Sequence, residues 1–154
     1  MINLWEQVRH DLVWDGSLRD IYIQRTTLDN WNQFLRLVRA TANYQYYVDS
    51  EPEILPAIAA DIFLTEKYPK LLSIWIAEVQ LNCHFFSQKE IELDLDPRQI
   101  TNEETFNQIK QFMEQLAKAL GRSTRLTPEN LPGFPMLEYN PGSQCWEYFP
   151  TNKL

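Results

Sequence analysis

The stretch LLSIWIAEVQLNCHFFSQKEIELDLD, residues 71–96, is the longest region of the sequence that is typical of β structure. Apolar and polar residues alternate along most of it, which is the pattern of strands with one buried face. Patterns typical of helices lie on both sides of it. We therefore interpret this stretch as the centre of a sheet, around which the other elements are arranged.

Two hairpins are predicted within this stretch, with turns at Ala77-Glu78 and at 87–89. In this register each apolar residue faces another apolar residue, which favours the pairing. The facing pairs are Ile76–Val79, Ile74–Leu81, Leu72–Cys83, Phe85–Ile91, Cys83–Leu93 and Leu81–Leu95. The first turn lacks the Gly, Asn or Asp that two-residue hairpin loops favour, so a longer, slipped loop stays open as an alternative.

Further elements are predicted on both sides of the two hairpins. Helical spacing of apolar residues indicates helices over 4–12, 28–40 and 102–120 and a short helix from Pro56. The last long helix has the clearest signals, because Thr101 and Glu104 form a candidate capping box and Gly121 follows its end. Strand patterns cover 18–24, 44–49, 122–126, 136–139 and 145–149.

These elements predict an α+β fold. We expect an antiparallel or mixed β-sheet of five to seven strands, with the two main helices, 28–40 and 102–120, packed on one face. The chain has 154 residues, the usual size of one domain, and the sequence contains no repeat and no linker that would divide it. A single α+β domain over residues 1–154 is therefore expected.

Composition and charge exclude several classes of protein. The formal charge of −7 disfavours nonspecific binding to nucleic acid. No window is long and apolar enough for a membrane span, and MINLWEQVRHDL carries charges where a signal peptide needs its apolar run, so a cytoplasmic location is expected. The two cysteines, Cys83 and Cys145, are interpreted as free thiols in this context.

The predicted register leaves a polar face on the side of the sheet opposite the core. Asn82 lies across from Asp94, and His84 lies across from Glu92. A histidine beside a carboxylate could act as a general base or as half of a metal site, whereas a solvated sheet face carries the same residues without any chemistry. The candidate binding residues on this face are Trp75, Gln80, Asn82, His84, Glu92, Asp94 and Asp96.

Acidic residues alternate along one predicted strand, at Glu90, Glu92, Asp94 and Asp96. A metal site there would need further ligands, and the sequence has no spacing typical of an EF-hand or a zinc site, so we predict neither a metal nor another cofactor. Rows of like charge steer association without exact geometry, which favours an acidic surface for a basic protein partner.

Catalytic interpretations have less support in the sequence. Cys83 and His84 are adjacent in a strand, so their side chains should point to opposite faces. With four glycines in the chain, no Gly-rich phosphate-binding loop is possible, and we predict no catalytic residue. Trp146 and Tyr148 alternate on the last strand and are predicted to form an exposed aromatic pair or the interface of a dimer.

In size, charge and α+β pattern the chain resembles small bacterial immunity proteins, which inhibit cognate toxins. The resemblance is one of general character over the whole chain and rests on no motif, so it implies no role for any residue. It implies a non-enzymatic acidic protein that engages a basic protein. Two alternatives stay open: a small-ligand binder or enzyme using His84, Asn82 and Asp94, and a structural subunit of an oligomer.

Overall fold

The structure, a computed structural model, describes residues 3–150. Within these residues the chain forms four α-helices and nine strands. The helices are α1 (Leu4–Val8), α2 (Leu28–Thr41), α3 (Ala59–Phe63) and α4 (Glu103–Leu120), and short 3-10 helices span Arg9–Leu12 and Pro97–Gln99. The strands are β1 (Arg19–Gln24), β2 (Asn43–Val48), β3 (Glu51–Glu53), β4 (Lys70–Ile76), β5 (Val79–Ser87), β6 (Glu90–Leu95), β7 (Thr124–Pro128), β8 (Leu137–Asn140) and β9 (Cys145–Tyr148).

The strands form one antiparallel sheet in the order β3-β2-β4-β5-β6-β1-β7-β8-β9. The predicted α+β class with an antiparallel sheet is confirmed. The predicted number of five to seven strands is wrong, because the sheet of the described residues has nine. One added strand is β3, whose Glu-Pro-Glu sequence has little strand propensity. It pairs because Asp49 and Ser50 both adopt a positive φ, which closes a two-residue hairpin turn.

The first central hairpin has the predicted register. Ile76 pairs with Val79 and Ile74 with Leu81, so the turn consists of Ala77 and Glu78. Ala77 has a φ of 52°, a left-handed conformation that a residue with a β carbon adopts at an energetic cost. The short turn is therefore retained despite an unfavourable residue, and the alternative of a longer loop is wrong.

The second central hairpin differs from the prediction beyond His84. Cys83 pairs with Leu93 as expected, but the register shifts between His84 and Ser87, and Ser87 pairs with Glu90. Two residues of β5, Phe85 and Phe86, thus lie opposite one residue of β6, Ile91, which is a β-bulge. The predicted pairing of Phe85 with Ile91 is wrong because of this extra residue.

The bulge accompanies two adjacent phenylalanines that lie in different environments. Phe85 is partly buried and packs against the core in an aromatic cluster, with ring centroids 5.2 Å from Trp31, 5.9 Å from Phe63 and 6.0 Å from Tyr46. Phe86 is 74% exposed and stacks on His84, with centroids 5.0 Å apart and an interplanar angle of 9°. The end of β5 therefore presents an aromatic side chain to each side of the sheet.

The helix ends follow the expected capping chemistry with one exception. Asn3 caps α1, Thr27 caps α2, and Gly121 ends α4 in a left-handed conformation with a φ of 65°. The predicted capping box of Thr101 and Glu104 is wrong. Asn102 caps α4 instead, and its side chain accepts a 2.9 Å hydrogen bond from the amide of Thr105 because asparagine is a favoured residue at this position.

One hydrophobic cluster joins the helices to the inward side of the sheet. It includes Val8 of α1, Trp31 of α2, Ile62 of α3 and Leu116 of α4. From the two central hairpins it includes Leu72, Ile74, Val79, Leu81, Cys83, Ile91, Leu93 and Leu95, all of which were expected in the core. Among residues 3–150, no helix is both long and apolar enough to cross a membrane.

Candidate functional site

A continuous set of mostly polar side chains lies on the side of the sheet that faces away from the core, which we call the polar sheet face. Strand pairing arranges it in two rows that cross several strands. One row is Ser73, Asn82, Asp94, Asp20 and Thr127. The other is Leu71, His84, Glu92, Tyr22 and Arg125.

Asp94 is the centre of a hydrogen-bond network on this face. Its carboxylate lies 2.8 Å from Nε2 of His84 and accepts a 3.2 Å bond from Nδ2 of Asn82. The Asn82 side-chain oxygen accepts 3.0 Å bonds from the Ser73 hydroxyl and the Gln80 amide. The predicted facing pairs Asn82–Asp94 and His84–Glu92 are confirmed, but the His84 ring bonds diagonally to Asp94.

The contact with Asp94 sets the electrostatic behaviour of His84. The hydrogen bond to Asp94 raises the pKa of His84 above 6.5, since it favours the charged ring, while burial acts in the opposite direction. The negative charges of Asp94, Glu92 and Asp20 act in the same sense as the hydrogen bond. The ring is therefore held in one orientation next to a group of carboxylates.

A second chain of contacts begins at Asp20, directly across from Asp94. The Tyr22 hydroxyl lies 3.0 Å from Oδ2 of Asp20 and 3.0 Å from Oε1 of Glu92. The backbone N–H of Asn130 donates a 2.7 Å hydrogen bond to the same Asp20 oxygen. We call Asp20, Tyr22 and Glu92 the carboxyl–tyrosine chain.

Burial is the largest influence on the pKa values of Asp20 and Tyr22 in the carboxyl–tyrosine chain. It raises the pKa of Asp20 from 3.8 to about 6, and the charges of Glu92 and Asp94 contribute in the same direction. The hydrogen bonds from Asn130 and Tyr22 oppose the rise but do not cancel it. Burial, the charge of Asp20 and the contact with Glu92 also raise the pKa of Tyr22, so this hydroxyl keeps its proton.

Strand β1 is buried on both sides, although the sequence predicts a half-buried strand. Asp20 is 2% exposed and Tyr22 is 3% exposed, even though both point away from the core. The β7–β8 loop, residues 129–136, lies on this side of β1 next to Asp20. The Asn130 amide binds Asp20, and Nη1 of Arg125 donates a 2.8 Å bond to the carbonyl of Pro132. The predicted half-buried pattern is therefore wrong for β1.

The other predicted binding residues lie at the margins of this face. Trp75 is half-buried and pairs across strands with Gln80 and Asn43. Asp96 caps the 3-10 helix Pro97–Gln99 and forms a 2.7 Å ion pair with Arg98, whose guanidinium lies 3.8 Å from the centre of the Trp14 ring. These contacts separate Asp96 from the Asp94 network.

The two aromatic residues predicted at an interface make contacts within the chain. Trp146 is half-buried, and its indole N–H donates to Glu114 of α4 at 2.5 Å. The hydroxyl of Tyr148, also half-buried, donates to Asp11 at 2.8 Å. Both rings pack against the hydrophobic core. An interface between subunits at this pair stays a prediction.

A cavity of about 600 Å³ lies between the α3–β4 connection and the end of β5. Its lining includes His84, Phe86, Tyr68 and Lys70, but neither Asn82 nor Asp94. Among residues 3–150, no group of three or more His, Cys, Asp and Glu side chains is placed to hold a metal ion. His84 is thus the side chain that connects the Asp94 network to an open cavity.

No protein-family model, curated protein or solved structure matches the chain.

Sequence reasoning identified most of the Asp94 network but missed Asp20 and Tyr22 as site residues. Their alternation with Ile21 and Ile23 does place them on the polar side of β1. However, nothing in the local sequence indicates that β1 pairs with β6, about seventy residues further along the chain. The strand order was needed to bring these residues next to Glu92 and Asp94.

Proposed function

We propose that this chain is a non-enzymatic binding protein whose polar sheet face engages a basic protein. The observation that carries the proposal is the position of three carboxylates on two neighbouring strands, Asp20 on β1 and Glu92 and Asp94 on β6. We call them the acidic cluster. Like charges held together in this way attract cationic side chains and speed their association.

The cations near the acidic cluster neutralise it only in part. His84 contacts Asp94 and is positively charged only when its ring is protonated. Arg125 forms a 2.5 Å ion pair with Glu138 on the neighbouring strand β8. The chain as a whole has a formal charge of −7. A basic partner would therefore meet a negative potential both at long range and at the cluster itself.

The arrangement of the side chains also favours recognition. Asp94 is held by Asn82 and His84, so its position is fixed before a partner arrives, which lowers the entropic cost of binding. Phe86 stacks on His84 and is 74% exposed, and exposed aromatic rings beside charged groups are common anchors at protein interfaces. Cys83 is fully buried on the opposite side of β5 from His84, which speaks against a Cys-His catalytic pair.

Binding of a labelled deca-arginine peptide, followed by fluorescence anisotropy, tests the proposal. We expect salt-sensitive binding that weakens by about three- to tenfold in Glu92→Gln, which removes one charge of the acidic cluster and keeps the shape of the side chain. Glu78→Gln is the matched control, because Glu78 is exposed in the β4–β5 turn. Equal losses in both variants would mean that only net charge matters, and the proposed site would be wrong.

Small-ligand binding is the second candidate function. The cavity beside His84 favours it, because its volume of about 600 Å³ is in the range of small-molecule sites and its lining combines aromatic and charged side chains.

A further inference from the structure

The β7–β8 loop buries a carboxyl group beneath its backbone. Asp20 points away from the hydrophobic core, yet it is 2% exposed because this loop crosses it. The loop is attached by the N–H of Asn130, which donates to Oδ2 of Asp20 at 2.7 Å, and by Arg125, which donates to the carbonyl of Pro132. The position of the loop is thus linked directly to Asp20.

The hydrogen bonds beneath the loop require an additional proton. Tyr22 lies 3.0 Å from an oxygen of Asp20 and 3.0 Å from an oxygen of Glu92, but its hydroxyl has a single proton to donate. Both contacts are hydrogen bonds only if one carboxyl is protonated and donates to the Tyr22 oxygen. When both carboxyls are ionised, the Tyr22 hydroxyl can donate its proton to only one of them. The other carboxylate oxygen then lies 3.0 Å from the Tyr22 oxygen with no proton between the two atoms.

No cation in the described part of the chain forms an ion pair with Asp20. The charged and titratable groups around it come from β1, β5, β6, β7 and the loop. They are Tyr22, His84, Glu92, Asp94, Arg125 and Glu129. His84 bonds to Asp94, Arg125 pairs with Glu138, and Glu129 accepts from the amide of Leu18. Loss of the shared proton therefore adds an uncompensated charge beside Glu92 and Asp94.

We propose that the β7–β8 loop is a proton-dependent cover, which is closed while the carboxyl–tyrosine chain holds its shared proton and opens when that proton is lost. Asn130 has a φ of 60°, a left-handed conformation that costs energy even for asparagine and that the contact with Asp20 helps to hold. Opening would expose Asp20, which is the covered member of the acidic cluster. That consequence rests on the proposed function, whereas the motion of the loop does not.

Hydrogen exchange of the Asn130 amide, measured by NMR and corrected for its intrinsic rate, tests the cover. Between about pH 5 and about pH 8 we expect its protection to fall by about tenfold or more, because one proton is linked to the closed state. In Asp20→Asn the amide oxygen can still accept from Asn130, and the side chain has no proton to lose, so protection should hardly change with pH. The proposal would be overturned if the protection of Asn130 in the wild type did not change with pH. It would also be overturned if this protection fell equally in Asp20→Asn.

A second variant tests the carboxyl–tyrosine chain itself. In Glu92→Gln the amide can donate to the Tyr22 oxygen and Tyr22 can donate to Asp20. Both hydrogen bonds of the carboxyl–tyrosine chain then form without an additional proton. We expect a clearly smaller fall in the protection of Asn130 than in the wild type, while the control Glu78→Gln keeps the wild-type fall. If the protection of Asn130 fell as much in Glu92→Gln as in the wild type, the proposed role of the carboxyl–tyrosine chain would be contradicted.

Binding of the deca-arginine peptide at both pH values separates this proposal from the proposed function. If the loop opens and peptide affinity rises with pH, both are supported. If the loop opens but the peptide does not bind, the cover stands and the proposed function fails. If the peptide binds while the protection of Asn130 is independent of pH, the cover fails and the proposed function stands.

Discussion

Asp94 connects the two hydrogen-bonded groups of the polar sheet face. Its carboxylate binds His84 and Asn82 on β5, and its backbone pairs with Asp20 on β1. Because the hydrogen bond to Asp94 raises the pKa of His84, the stabilisation from this pair is fully present below the unfolded pKa of about 6.5. It is lost as the pH rises through the higher folded value.

Asp94→Asn should therefore lower the pKa of His84 and destabilise the protein more at acid pH than at alkaline pH. The amide keeps a hydrogen bond to the ring but no longer carries the charge that favours the protonated form. We expect a loss of about 1 kcal/mol near pH 5 and a smaller loss near pH 9. NMR titration of the His84 ring protons and urea unfolding at both pH values measure the two effects.

The matched control for this variant is Asp61→Asn, since Asp61 is an exposed residue of α3. It should leave the titration of His84 unchanged. A His84 pKa that is the same in Asp94→Asn and in the wild type would show that the contact with Asp94 does not control the ring.

At the scale of elements, the hairpin β4–β5 depends on a turn residue with an unfavourable backbone conformation. Ala77 has a φ of 52°, whereas Glu78 does not have a positive φ. Pairing on both sides of the turn, from Ile76–Val79 to Leu71–His84, holds the chain in this register. The turn is thus imposed by the strands and is not specified by its own residues.

Ala77→Gly should stabilise the protein by about 0.5–1 kcal/mol. Glycine adopts a positive φ without the steric cost of a β carbon, and this gain exceeds the added entropy of the unfolded chain. Urea unfolding measures the change. Glu78→Gly is the matched control in the same turn. It should destabilise the protein, because Glu78 has no positive φ to relieve and glycine only adds entropy to the unfolded chain. Destabilisation of similar size in both variants would contradict this account.

Local patterns predicted most of the elements and one complete hairpin register, because alternation and helical spacing depend on near neighbours. They did not predict the β-bulge before Ser87, beside which Phe85 packs on Trp31 and Phe63 against the core. They also did not predict the site role of Asp20, which depends on the pairing of β1 with β6. Both features arise from contacts between residues that are distant in the sequence.

At the scale of the whole molecule, the sheet of the described residues is open and ends at β3 and β9. An edge strand presents unpaired backbone groups that can pair with another chain. Strand β3 consists of Glu51, Pro52 and Glu53, all exposed. Its short length, its proline and its charges are features that natural sheets use to prevent pairing between edges.

Replacing the β3 residues with strand formers should increase self-association. We expect Glu51→Thr, Pro52→Val and Glu53→Thr together to give a larger fraction of heavier species in sedimentation velocity than the wild type at equal concentration. A variant with Glu66→Thr and Glu78→Thr is the control, because it removes the same charge from exposed positions outside the strands. Equal association in both variants would assign the effect to charge alone.

The position of β1 has a consequence for how this protein is made in the cell. Residues 19–24 leave the ribosome before both of their neighbours in the sheet, which end at Leu95 and Pro128. Until β6 has been translated, this segment has no partner strand on either side. A strand that contains two isoleucines is thus left unpaired during this interval, and we expect it to be a binding site for chaperones on the nascent chain.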